Sequence, residues 1–254
     1  MQVTTEEIIY PCSDGQPMAD STIQYQLIVT IKEGCELLLK DDPNVFIAAD
    51  LLWYPVEGRT DISQAPDVMV VFGRPKGDRR SYLQFREDNI PPQVAFEIRS
   101  YSDRQIKMNK KYSFYNRYGV EEYYLYDPEQ NELTGWRRVE GMLEVIEPME
   151  GWISPRLGVR FELGSEGLEI YRPDGQKFLS YSELDEQREL ERRRAEQEFQ
   201  RAEQEFQRAE GQFQRAEEAP QRAEEASQRA EQEAQKAERL AAKLRELNID
   251  PDSI

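Results

Sequence analysis

Between residues 194 and 235 the chain repeats every seven residues: RAEQEFQ at 194–200 and 201–207, then RAEGQFQ, RAEEAPQ, RAEEASQ and RAEQEAQ. A sustained seven-residue period in apolar residues is a helix signature, because only a helix brings those positions to one seam. With Phe199 at the first seam position, Phe206 and Phe213 follow it, and Ala202, Ala209 and Ala216 occupy the second. The later first positions weaken to Pro220, Ser227 and Ala234, and Pro220 is predicted to kink or break the helix. A continuous helix from Glu183 to Leu247 would be roughly 100 Å long. It is expected to stop before NIDPDSI, since proline disfavours helix at the residue before it. Two readings stay open: a coiled coil that assembles a homodimer or higher oligomer, and a solvated single helix held by pairs such as Glu198–Arg201. Neither supplies chemistry.

The repeat belongs to a region unlike the rest. Residues 183–254 carry 13 basic and 20 acidic side chains and little else but Gln and Ala. Residues 1–182 hold all three Trp and all 13 Tyr. Two domains are therefore expected, a globular one at 1–182 and a heptad-repeat helical tail at 183–254; about 180 residues is ample for a core. The chain has no histidine and two cysteines, Cys12 and Cys35. That excludes Ser-His-Asp and Cys-His catalysis, a histidine general base and any His- or Cys₄-type zinc site. Hydrolytic chemistry here has carboxylates, lysine and a bound metal to work with. No apolar run approaches the roughly 20 residues of a membrane span, and the first residues are acidic, without a signal-peptide core. The reading is a soluble, cytoplasmic chain with no membrane partner, and two thiols suit a reducing compartment.

Residues 1–182 alternate helical and strand patterns, which predicts a mixed α/β fold. Residues 22–40 carry apolar side chains on a 3.6-residue period and read as a helix. VFIAADLLW (45–53) reads as one strand ended near Pro55, and DVMVVF (67–72), QVAFEIR (93–99) and EEYYLY (121–126) read as further strands. Residues 103–118 read as a helix capped by Gly119. Shorter strands are expected over 131–181.

Three features gather around the middle strands. Asp67 opens an apolar strand behind Pro66, and Glu97 interrupts VAFEI. A carboxylate inside a core strand is costly unless it is paired or holds a cation. If the strand instead has a wet side, Ala95, Glu97 and Arg99 simply face it. On the following helix Lys111 falls between Tyr118 and Tyr115, inside the apolar stripe, whereas Lys110 lies outside it. Its ammonium either snorkels to water or meets the two carboxylates. Finally, the local charge opposes the global one. The whole chain is at -17, yet Arg99, Arg104, Lys107, Lys110, Lys111 and Arg117 face only Asp103 within 99–119. Likewise Arg74, Lys76, Arg79, Arg80 and Arg86 face only Asp78 within 74–86. Such clusters suit phosphate, so the acidic total does not exclude DNA.

APDVMVVFG, VAFEIRS and KKYSFYNRYGVEEYYLYDPE, with DLLWYPVEG upstream, together resemble the Uma-two family of restriction endonucleases, within the PD-(D/E)XK nuclease superfamily. The resemblance implies a restriction-endonuclease-like α/β core, a mixed central sheet flanked by helices. It makes Pro66-Asp67 the PD element and Glu97 the second carboxylate. The superfamily's lysine would stand two residues after Glu97, where this chain has Arg99. In this family the lysine typically comes from the next helix, four residues before a Tyr, which matches Lys111 before Tyr115. A Ser-Pro step common after the strand is Ser100-Tyr101 here.

The implied activity is metal-dependent endonucleolytic hydrolysis of DNA. Asp67 and Glu97 would bind Mg²⁺ or Mn²⁺ with the Ile98 carbonyl as third ligand, and Lys111 would act on the attacking water or the developing charge. Arg74, Lys76, Arg79, Arg80, Arg104, Lys107 and Lys110 would hold the DNA backbone. The alternative is a nuclease-like binding module with an idle site, assembled through its coiled coil.

Overall fold

The structure, a computed structural model, describes residues 8–101 and 105–246. It divides into two units, Met1–Asp185 and Glu186–Ile254.

The first unit opens with helix α1 (Thr22–Leu38), where the Ser21 side chain caps the N-terminus by accepting from the Gln24 amide at 3.1 Å. Strands β1 (Val45–Ala49), β2 (Trp53–Tyr54), β3 (Val68–Phe72), β4 (Tyr82–Leu83) and β5 (Val94–Ile98) follow. Helix α2 (Gln105–Tyr118) then leads to β6 (Glu122–Asp127), β7 (Glu132–Val139), β8 (Met142–Val145), β9 (Arg160–Gly164) and β10 (Gly167–Tyr171). Six of these strands form one mixed sheet in the order β1-β3-β5-β6-β7-β8. Only β5 and β6 pair in parallel within it, and α2 connects them. A parallel neighbour needs such a crossover, whereas the antiparallel pairs can close through turns.

Both faces of the sheet are covered. Ile28 and Ile31 of α1 pack on Val68, Val94, Phe96 and Ile98. The opposite face carries Met69, Ala95 and Tyr123 against Tyr115 of α2 and Trp53. β5 is therefore buried along its whole length, and the wet side on which Glu97 could have pointed does not exist. Alternation along β5 selects between two cores rather than between core and water.

The run VFIAADLLW is not one strand. It breaks at Asp50, which adopts a left-handed φ of 49° and donates its amide to the Pro66 carbonyl at 3.1 Å. Aspartate tolerates that conformation better than the β-branched and aromatic residues around it. Gly119 follows α2 at a φ of 96°, as its C-cap position requires.

Close approach explains one further glycine. A Cβ on Gly34, inside α1, would meet Phe178 Cδ2 at 2.2 Å. Gly34→Ala should therefore cost about 1–3 kcal/mol by overpacking, despite alanine's better helix propensity. Urea unfolding of the two proteins measures it, and an unchanged midpoint would show that Phe178 yields freely.

Helix α3 (Tyr181–Glu246) runs on through Pro220, where the sequence predicts a kink or break. The helix does not end there. Proline removes one backbone hydrogen bond, but residues 212–230 are exposed, so water can take up the freed carbonyl, and strong helix formers lie on both sides. Among the described residues no helix is long and apolar enough to cross a membrane.

Candidate active site

The antiparallel ladder pairs Val68 with Phe96, and one step beyond it Asp67 stands opposite Glu97. Residues opposed in this way project to the same face, here the face under α2. Glu97 is 1% exposed. Its Oε2 accepts from Lys111 Nζ at 2.5 Å, and its Oε1 accepts from the Tyr115 hydroxyl. Lys111 and Tyr115 lie one helical turn apart, so both reach a single carboxylate. Lys111 is itself buried, and it meets a carboxylate rather than snorkelling to water. Burial, then the nearby Glu97 charge, raise the Tyr115 phenol well above its ordinary value, so it stays a neutral donor.

Asp67 is buried beside this pair and accepts from the Ile98 amide at 2.6 Å. Burial first, and the Glu97 charge second, push its carboxyl well above the usual range; Lys111 and the Ile98 amide oppose the shift. Two carboxylates crowded in this way compete for one compensating cation.

Arg99, at the superfamily's lysine position, donates to Asp127 Oδ2 at 2.9 Å. The cation at Glu97 comes from the helix.

Three residues at the site escaped the sequence reading. Gln24 donates from Nε2 to the Ile98 carbonyl at 2.9 Å, while its Oε1 accepts from the Asp20 amide. Its only signal was Ser21-x-x-Gln24, which reads as a helix cap. Tyr115 marked the lysine's position but carried no role of its own. Asp50 lines the same cleft, and burial, then the Asp14 charge, raise its carboxyl. Its signal was an acid inside an apolar run.

The cleft holds about 220 Å³ and is lined by Asp50, Asp67, Gln24, Lys107 and Lys111 among others. Of the basic residues expected to hold a phosphate backbone, Lys107 lines it, while Lys110 and Arg80 are exposed. Arg74 and Arg79 converge on Glu87 at 2.8 and 2.7 Å, and Arg79 also lies over the Phe46 ring. Lys76 donates to the Leu39 carbonyl at 3.0 Å. These three cations tie their own loop to the sheet and α1. Arg104 lies outside the described residues.

Among the described residues no group of three or more Asp, Glu, Cys or His is placed to hold a metal ion. Magnesium does not require one, because it retains several waters and is commonly held by one or two carboxylates. Asp67 and Glu97 are hard oxygen donors on one face, and burial first, then the Glu97 charge beside it, raise the Asp67 carboxyl. They fit a hard divalent cation. The Ile98 carbonyl already accepts from Gln24, and its second lone pair remains for a further ligand.

No curated protein matches the chain. A solved structure described as "a putative nuclease belonging to DUF820 from Anabaena variabilis ATCC 29413" is 20% identical, with a TM-score of 0.43, over 56% of this chain and 77% of that one. The family described as "Uma2: Putative restriction endonuclease" matches residues 7–164, more than half of the sequence. A mixed six-stranded sheet with helices on both faces is the restriction-endonuclease-like core expected of it. This chain belongs to the Uma2 family of "putative restriction endonucleases".

Proposed function

We propose that the chain is a metal-dependent endonuclease that hydrolyses DNA phosphodiester bonds, with Asp67, Glu97 and Lys111 as its catalytic residues. The observation that carries this reading is a buried carboxylate pair with a lysine salt-bridged to it, at a cleft that a second lysine lines. Asp67 and Glu97 would hold Mg²⁺ or Mn²⁺, with the Ile98 carbonyl as a further ligand. When bound, that ion lowers the pKa of a coordinated water and stabilises negative charge on phosphorus-bound oxygens. Lys111, fixed by Glu97 Oε2, would orient the attacking water or neutralise charge developing on the phosphate. Tyr115 holds the other oxygen of Glu97, and Gln24 anchors the strand at Ile98. Lys107, Lys110 and Arg80 would meet the DNA backbone.

The test is titration of Mg²⁺ and Mn²⁺ into the purified full chain with supercoiled plasmid. The expected result is nicked and linear DNA that requires the metal and is lost on chelation. DNA retained without cleavage at any metal concentration would overturn the enzyme reading in favour of a binding module.

A further inference from the structure

The apolar seam of the second unit is short and open to solvent. Phe199, Phe206 and Phe213 alternate along it with Ala202, Ala209 and Ala216, and the three rings are 70%, 69% and 70% exposed. An aromatic row left in water marks an interaction surface. A seam that returns every seven residues fits another helix, because only a helix winding with it keeps contact over several heptads.

The flanks of the seam decide which helix. Glu203, Glu210 and Glu217 each stand one residue after an Ala position and line one flank. Glu198 and Glu205 each stand one residue before a Phe position and line the other, where Gln212 follows them. Arg201, Arg208 and Arg215 lie behind this second flank, toward the back of the helix. There Arg201 is within one turn of both Glu198 and Glu205. The first flank has no such help. Three and four residues on either side of Glu203, Glu210 and Glu217 stand only Phe, Gln and Pro.

A second copy answers neither flank. Laid parallel and in register, it sets Glu203 against Glu198 and Glu210 against Glu205. Laid antiparallel, it seats Phe against Ala but sets the Glu203 row on itself. Like charges across a seam disfavour pairing, and the alanines bury little apolar area to offset them. Nucleic acid and an anionic membrane surface carry the same sign as these flanks.

We infer that the segment from Glu198 to Glu217 docks an amphipathic helix of another protein, one with an apolar seam and Lys or Arg on both sides of it. Such a helix lays its apolar residues on the Phe row and meets both Glu flanks with cations. Large aliphatic side chains suit its seam, since the Ala positions leave room between the rings. The Phe row supplies the burial, and the Glu flanks select the partner. The inference concerns α3 alone and does not rest on the proposed cleavage.

The probe is a synthetic helix of four heptads with Leu along its seam and Lys on both flanks, which repels itself. Its control carries Glu in place of the Lys. Each is labelled with a fluorophore, titrated with the full chain at physiological salt and followed by anisotropy. The Lys probe is expected to bind at micromolar concentration, and the Glu control at least about a hundredfold more weakly. Phe199→Gln/Phe206→Gln/Phe213→Gln should weaken the Lys probe by more than about tenfold, which a non-specific attraction to an acidic chain would not show. Glu203→Lys/Glu210→Lys/Glu217→Lys should weaken it to a similar degree. All of these positions are exposed, and circular dichroism should show the helix intact in both variants. Absence of binding by the Lys probe, equal binding of the two probes, or undiminished binding by the Phe variant would each overturn the inference. So would a wild-type dimer, seen by sedimentation, that dissociates in the Phe variant.

Discussion

Glu97→Gln is expected to reduce metal-dependent DNA cleavage by about 10²–10⁴-fold, by removing charge from the cation site and the anchor from Lys111. It should also lower stability by about 3–5 kcal/mol, because an ammonium buried at 9% side-chain exposure loses the charge of the carboxylate that it meets at 2.5 Å. The two effects are separable. Glu97→Gln/Lys111→Met replaces the pair with groups that need no counter-charge, so unfolding should return most of the way to wild type. Cleavage should stay absent. Nicking rates and urea midpoints on the four proteins of the cycle give both quantities. A double variant that is as unstable as the single one would show that Tyr115 and packing, rather than the ion pair, set the cost of the substitution. Retained cleavage by folded Glu97→Gln would remove Glu97 from the reaction.

Asp67→Asn is expected to abolish cleavage and yet to raise the melting temperature at neutral pH. The unfolded chain ionises Asp67 near its ordinary value of 3.8, whereas the folded chain holds the proton to well above it. Between those two points the native state binds more protons, so stability falls as pH rises through the window. Below the window the aspartate contributes no penalty; above it the penalty is complete. Asparagine cannot ionise, and its carbonyl still accepts from the Ile98 amide. The advantage of the variant should grow from nothing near pH 3 to on the order of 1 kcal/mol at pH 7–8. Added Mg²⁺ should reverse the ranking, stabilising wild type by about 2.7 kcal/mol at a hundredfold excess over its dissociation constant. Thermal melts across pH, with and without the ion, check this. A wild type more stable than Asp67→Asn at pH 7.5 without metal would contradict it.

The sequence reading singled out several of the side chains that the structure brings together, but not uniformly. Asp67, Glu97 and Lys111 were legible because a charge in an apolar period is a local anomaly, visible without knowing what lies across it. Whether Glu97 faced water was undecidable from β5 alone, since alternation cannot distinguish a second core from solvent; α2 and Trp53 supply that core. The helical period placed Lys111 on the buried side of α2, yet Ile106 on the same helix is 67% exposed. The buried line is Met108, Lys111 and Tyr115. Gln24 and Asp50 were missed for a different reason. Each has a sufficient local explanation, a cap and a strand interruption, and the contact that matters is made far away in the chain. The basic loop poses the opposite case. Its cations stand out by count, but Glu87, just outside the counted window, binds two of them. Pro220 was judged by local geometry, and the long helix on either side outweighs it.

The order in which the site can close is itself written into these contacts. Glu97, Lys111 and Tyr115 lie within one strand and the helix after it, but Asp67 joins Ile98 across 31 residues and Gln24 joins it across 74. Contacts of such span form late in folding, after loop-closure entropy has been met by a docked sheet. A chain leaving the ribosome exposes Gln24 and Asp67 long before β5 and α2 exist to receive them. No partial chain ending before Tyr115 holds the complete set. Under the proposed activity, cutting ability would arrive as an all-or-none property of the finished core, and nicking followed during refolding would be a direct clock for the docking of β3 on β5.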